Sequence, residues 1–226
     1  AIFYGSEASF GYFKFSPSSD HLDLNGYEAF RGDTHQQLLL PKKYSGWLNV
    51  VPHAGLRFTH YGSRSSDNSG FVQMNDLNRS VFNTGVEFSF KASSTLPDAK
   101  LSLLDVNGLR HVVQPMANYL FVPEPNKRPW ELPQFDRELH SLRMRPIDFP
   151  DYNSIDTIDS SNVVRIGVRN RLQTKRFGLV DDVLNWELFT DWRLDNDLYE
   201  ARFNDVYSDL EVKPRSWLLL GSELRY

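Results

Sequence analysis

Long stretches of strict period-two alternation constrain this chain more than any other feature. From Val81 to Lys91 (VFNTGVEFSFK), residues Phe82, Thr84, Val86, Phe88 and Phe90 share one face; Val81, Asn83, Gly85, Glu87, Ser89 and Lys91 share the other. Val163–Lys175 (VVRIGVRNRLQTK) sorts more sharply. Val164, Ile166, Val168 and Leu172 lie opposite Arg165, Gly167, Arg169, Arg171, Gln173 and Lys175. Val183–Asp195 sets Leu184, Trp186, Leu188, Thr190, Trp192 and Leu194 against Asn185, Glu187, Asp191 and Arg193. Such alternation is the mark of a β-strand with one apolar and one polar face. Trp47–Tyr61, Leu109–Val122 and Tyr207–Lys213 are extended but less regular, and Ala1–Phe15, His35–Leu40 and Trp217–Tyr226 complete the set. No window of comparable length favours the helical period.

Several of these strands run well past the five or six residues usual in globular sheets, and about 9–11 tilted residues cross a bilayer. The connections are sorted as well. Short turns at Pro41–Gly46 and Pro214–Ser216 are interleaved with long polar stretches at Gly62–Ser80 and Pro123–Asn162. Short turns at one end and long loops at the other are the plan of an outer-membrane barrel, which a soluble sandwich has no reason to adopt. Trp47, Tyr61, Tyr119, Phe121, Trp186, Trp192, Tyr207 and Trp217 fall near proposed strand ends, where rings suit two interfacial girdles. The competing reading is core aromatics of a β-sandwich.

Composition fits this picture. The 226 residues average a mean hydropathy of -0.47 yet carry 14% aromatics, too many for a disordered segment. The longest apolar runs, such as Ala1–Tyr4, Tyr119–Val122 and Trp217–Leu220, are far shorter than a membrane helix. A net charge of -4 supplies no cationic field for nucleic acid, and the lack of Cys removes disulfides and thiolate chemistry. There is no initiator Met and no leader-like segment, so the expectation is an internal piece of a longer chain. The expected fold is all-β: residues 1–226 as one partial domain, an arc of about eight or nine long antiparallel strands from a larger transmembrane barrel.

Motifs for chemistry are sparse. His21, His35, His53, His60, His111 and His140 show no metal spacing, and Asp195-Asn196-Asp197 lacks the rest of a calcium loop. Arg31-Gly32-Asp33 and the sequon Asn78-Arg79-Ser80 are short matches whose simpler reading is solvated loop residues. No nucleophile elbow or phosphate loop is present, so neither an enzyme nor a bound cofactor is expected. The polar strand faces say more. Arg165, Arg169, Arg171 and Lys175 project to one side of a single strand, which in a closed barrel is the lumen. Either they pair with Glu87, Asp191 or Glu187 and fill a polar interior, or they offer a path to an anionic head group. Pro52 and Pro115 interrupt strand-like segments and cannot donate to a ladder, so each marks a bulge, bend or weakened pairing.

Three stretches carry a resemblance: GLRHVVQPMANYLFVPEP (108–125), LPQFDRE (132–138) and SIDTIDSSNVVRIGVRNRLQTKR (154–176). Together with LPKKYSGWLNVVPHAGLRFTHY (40–61), they resemble the C-terminal barrel of the LptD (OstA, Imp) lipopolysaccharide-assembly family. The matching positions are Arg110, His111, Pro115, Tyr119, Val122, Pro123, Phe135, Asp136, Asp156, Ile158, Asn162 and Gly167. The resemblance implies an integral outer-membrane barrel that inserts lipopolysaccharide into the outer leaflet. It further implies an LptE-like lipoprotein plug, a periplasmic lipopolysaccharide-transport bridge and contact with outer-membrane lipid. The cysteines of the family's best-known members are missing here. A porin-like channel and a soluble carbohydrate-binding β-sandwich stand as the other readings.

Overall fold

The computed structural model describes residues 1–16, 26–62, 65–66, 75–136, 147, 152–194 and 203–226. Its strands are β1 (Phe3–Phe15), β2 (Tyr27–Leu39), β3 (Lys42–Tyr44), β4 (Leu48–Tyr61), β5 (Ser65–Ser66) and β6 (Leu77–Ser89). They continue with β7 (Ala92–Leu101), β8 (Val106–Val122), β9 (Ser161–Arg176), β10 (Leu179–Arg193), β11 (Phe203–Arg215) and β12 (Leu218–Arg225). All belong to one antiparallel sheet ordered β1-β2-β4-β6-β8-β9-β10-β11-β12, with β3, β5 and β7 attached beside that path. A β-sandwich would divide these strands between two sheets. Among the described residues β1 and β12 each have a partner on one side only, so the sheet is an open arc.

Connections are sorted by the end of the sheet at which they lie. Residues 40–47, 102–105, 177–178 and 216–217 turn at one end, while 16–26, 62–76, 123–160 and 194–202 link the strands at the other. The tight turns have a local cause. Ser45-Gly46 and Phe177-Gly178 both take positive φ at two successive residues (49° and 76°, 50° and 79°). That is the type I′ geometry whose twist matches paired strands, and glycine in the second place makes it accessible.

The faces are inside out relative to a soluble sheet. Phe10, Phe30, Leu56, Phe58, Phe82, Phe88, Ile166 and Trp192 are exposed along the outer face. Arg31, Asp33, His53, Arg57, Thr59, Arg79 and Asn83 are buried on the inner one. Bare apolar side chains over several strands suit lipid, not water. No described helix is long and apolar enough to cross a membrane, which says nothing of a barrel. Several expectations need correcting here. Tyr61 is fully buried, because its register places it on the inner face beside Arg57 and Thr59, so it belongs to no girdle. Trp186 sits mid-strand in β10. Arg31, Asp33 and Arg79 are buried strand residues, not solvated loop positions, as is His53 on β4, while His35 is a half-buried residue of β2. His21, His140 and residues 195–197 lie outside the described residues.

The prolines have a shared role. The Pro52 carbonyl accepts the Leu40 N–H at 2.9 Å, opposite the gap between β2 and β3. The Pro115 carbonyl accepts the Phe90 N–H at 3.4 Å, opposite the gap between β6 and β7. Each proline therefore turns its missing donor toward the point where the neighbouring strand breaks, so no ladder amide is left facing an absent partner.

Candidate functional site

The inner face of β2, β4 and β6 presents Arg31, Asp33, Arg57, Thr59, Tyr61 and Arg79, and residues 134–136 and 155–158 lie against it. Asp156, with no solvent exposure, is the centre. One carboxylate oxygen accepts from Arg31 Nη1 at 2.8 Å and from the Tyr61 hydroxyl; the other accepts the Phe135 N–H at 2.8 Å and the Asp136 N–H at 3.3 Å. Asp136 returns the arrangement. Its carboxylate accepts from Arg31 Nη1 at 2.9 Å and from the Asp156 N–H at 2.9 Å. Arg79, also fully buried, donates through Nη2 to the Ile155 carbonyl at 2.6 Å. Behind it Asp33 holds Arg57 at 3.0 Å and accepts from Thr59 Oγ1 at 2.7 Å.

The cluster of Arg31, Arg57 and Arg79 with Asp33, Asp136 and Asp156 is thus charge-balanced, three against three. Buried ions are tolerable when they are paired or hydrogen-bonded: Arg31 and Arg57 meet carboxylates, and Arg79 meets backbone carbonyls. The pairing is closest around Asp156, which meets a guanidinium, a phenol and two amides. Burial, and then the nearness of Asp156, hold the Asp136 carboxyl above the usual carboxylate range, while Arg31 pulls it down. Aromatic rings complete the floor. Phe13 lies 4.5 Å below the Arg31 guanidinium, and Phe135 packs against both Phe13 and Tyr27. The arrangement is a fastening between a loop and a wall. Its two hydroxyls, Thr59 and Tyr61, are buried against Asp33 and Asp156, and among the described residues no group of metal-ligating side chains is close enough to share an ion.

The structure brings together Phe135, Asp136 and Asp156 from the residues singled out in the sequence. The others lie elsewhere. Arg110 and His111 are exposed near the short-turn end of β8, Pro115 faces the β6/β7 gap, and Pro123 ends β8. Tyr119 lies in the upper half of β8, Asn162 is the second residue of β9 with its carbonyl accepting the Leu194 N–H, and Gly167 lies under the Phe189 ring. Sequence reasoning missed Arg31, Tyr61 and Arg79. A signal existed: an inner-parity basic residue on each of β2, β4 and β6, facing a loop with two Asp.

The basic stripe divides in two. Arg165 clasps Asp191 through Nε and Nη2 at 2.6 and 2.9 Å, and Arg169 meets Glu187 at 2.5 Å. Arg171 sits opposite Val112 and Asn185, and Lys175 is exposed opposite Val180. Among the described residues neither meets a carboxylate.

One more cation matters at the short-turn end. Arg176, 4% exposed, donates to the carbonyls of Leu104 (2.7 Å), Lys213 (3.0 Å) and Pro214 (2.8 Å) and pairs with Asp181 at 3.0 Å. It ties the β7–β8 turn, the head of β10 and the foot of β11 together. Arg176→Lys keeps the charge but cannot fan out to three carbonyls. We expect it to lower the unfolding midpoint in urea by an amount matching about 1–3 kcal/mol, since buried carbonyls lose their donors.

The description of the family model LptD, LPS transport system D, matches residues 2–226, nearly the whole chain. Among curated proteins none matches it.

Proposed function

The chain belongs to the LptD family, and from that premise we propose that it is an arc of the outer-membrane barrel through which lipopolysaccharide enters the outer leaflet. A role in lipopolysaccharide transport at the outer membrane comes with the family, which is one of transport and assembly and not of enzymes. The finer reading is ours. Residues 1–226 form part of one barrel domain; an LptE-like lipoprotein fills its lumen, and a periplasmic bridge delivers the substrate. The observation that carries this reading is the inversion of the faces. Apolar side chains are bare on the outside of a single sheet, while guanidinia and carboxylates are enclosed inside it. A wall of that kind keeps acyl chains and phosphorylated sugars on opposite sides.

Within the basic stripe, the two cations that meet no carboxylate among the described residues are Arg171 and Lys175. Arg165 and Arg169 already share their charge with Asp191 and Glu187. Reversing Arg165 would strand a buried Asp191, so export loss in that variant would confound assembly with transport. Arg171→Glu with Lys175→Glu avoids the problem. We expect slower appearance of lipopolysaccharide at the cell surface with an unchanged fraction of heat-modifiable, folded barrel. Normal export in that double variant would reduce these two residues to filler of a polar interior.

A further inference from the structure

We propose that residues 123–136 and 152–160, in the connection from β8 to β9, form a strap that holds shut a structurally weak seam between β6 and β8. Strand contacts elsewhere along the middle of the arc are long: β4 faces β6 from Asn49 to Tyr61, and β8 faces β9 from Leu109 to Val122. The β6–β8 contact is confined to Thr84–Ser89 against Phe121–Met116. Prolines bound it on both sides. Below, the partner of β8 changes from β6 to β7 opposite Pro115, where the bridging hydrogen bond from Phe90 stretches to 3.4 Å. Above, β8 stops at Val122 before Pro123, while β6 continues upward to Leu77 with no strand on that side among the described residues. A side chain stands in for the missing strand there: Asn126 accepts the Ser80 N–H at 2.8 Å and donates to the Asn78 carbonyl at 3.2 Å.

The connection begins on β8 and ends on β9, both on one side of the seam, yet it is fastened to the other side. Asp156 is held by Arg31 of β2 and Tyr61 of β4, and Ile155 by Arg79 of β6. Ile158 joins Val81 of β6 to Leu120 and Val122 of β8 and Val163 of β9 in one apolar cluster that straddles the gap. A short ladder alone gives few backbone bonds to resist separation of the two halves. The strap adds a buried ionic lock and an apolar patch at the loop end, where the ladder is absent.

These 226 residues hold no Cys, so paired thiols can be introduced into them for a direct test in the protein folded in native outer membranes. Glu87→Cys with Asn118→Cys places thiols on facing residues across the seam, and Ile166→Cys with Thr190→Cys does the same across β9–β10. With the strap intact both pairs should oxidise nearly completely. Adding Asp156→Asn should lower the seam disulfide yield at least threefold and leave the β9–β10 pair unchanged. Tyr61→Phe, a milder cut that removes one hydrogen bond to Asp156, should lower it partly. Full seam oxidation in folded Asp156→Asn would overturn the proposal. Should Asp156→Asn lose both disulfides by failing to fold, Tyr61→Phe decides: a selective fall at the seam supports the strap, and an unchanged yield refutes it.

Discussion

Replacing Arg79 with methionine should destabilise the folded protein by about 3–5 kcal/mol, the usual cost of removing one member of a buried ionic group. Arg79 is fully enclosed, and its fork reaches the carbonyls of Ile155, Asp156 and Ile158 at 2.6, 3.4 and 3.5 Å. Methionine matches the aliphatic stem, so the variant isolates the guanidinium. Two effects oppose each other. Removing a buried cation spares its desolvation, which can make an apolar replacement of a whole ionic set stabilising. Here one member goes and the rest stay. Asp33, Asp136 and Asp156 would then face only Arg31 and Arg57, and the Ile155 carbonyl would lose its donor. The uncompensated carboxylate and the orphaned carbonyl outweigh the spared desolvation. Urea titration of heat-modifiable mobility in detergent measures the change, with Arg79→Lys in between because its ammonium keeps the charge and loses the fork. A midpoint equal to the parent's would mean that the loop docks without this contact.

Much of the sheet was legible because alternation is a local signal. The segments Val81–Lys91, Val163–Lys175 and Val183–Asp195 fall within or along β6, β9 and β10, and the sorting of short and long connections holds throughout. The strand estimate of eight or nine agrees with the path of the sheet. The losses have identifiable causes. Only His35–Leu40 of β2 stood out, because Gly32 and Thr34 interrupt the apolar face and, with Arg31 and Asp33 opposite, resemble a loop. Lipid sets no such requirement on the inner face, so buried charge there looks like solvent exposure in a one-dimensional reading. β7 was invisible for a related reason. Its Ala, Ser and Thr residues carry almost no pattern, and the strand exists because β8 offers an edge below Pro115.

The fastening of the loop was legible only in part. Asp136 and Asp156 stood out through resemblance, but their partners lie 105 and 125 residues away along the chain for Arg31, and 95 for Tyr61. Contacts at such separations depend on the register of three strands at once. A shift of one residue in β2 would turn Arg31 toward lipid and Phe30 inward. The basic stripe shows the converse limit. Its shared face follows from parity alone, but which members are already paired depends on where Asp191 and Glu187 fall on β10.

Gly85→Ala should be the more damaging of two single-methyl insertions, the other being Gly167→Ala. A methyl at Gly167 would collide with the ring of Phe189; at Gly85 it would collide with the backbone carbonyl of Tyr119 and crowd His53 Nε2. The nature of the obstacle decides the order. Phe189 can be displaced at the cost of a strained rotamer, about 0.5–1.5 kcal/mol, plus some repacking. The Tyr119 carbonyl cannot move without carrying β8 away from β6. That contact spans only Thr84–Ser89, so displacing one residue disturbs a large share of it. Alanine also restricts the unfolded chain, worth about 0.4–1 kcal/mol in favour of folding, which falls short of either clash. We therefore expect Gly85→Ala to lose stability at or above the top of the usual overpacking range, about 1–3 kcal/mol, and Gly167→Ala to lose less. Side-by-side urea titrations of the two variants settle the order. The reverse result would mean that β8 yields readily at the seam while the Phe189 ring is rigidly held, placing the stiff part of this wall on the β9–β10 side.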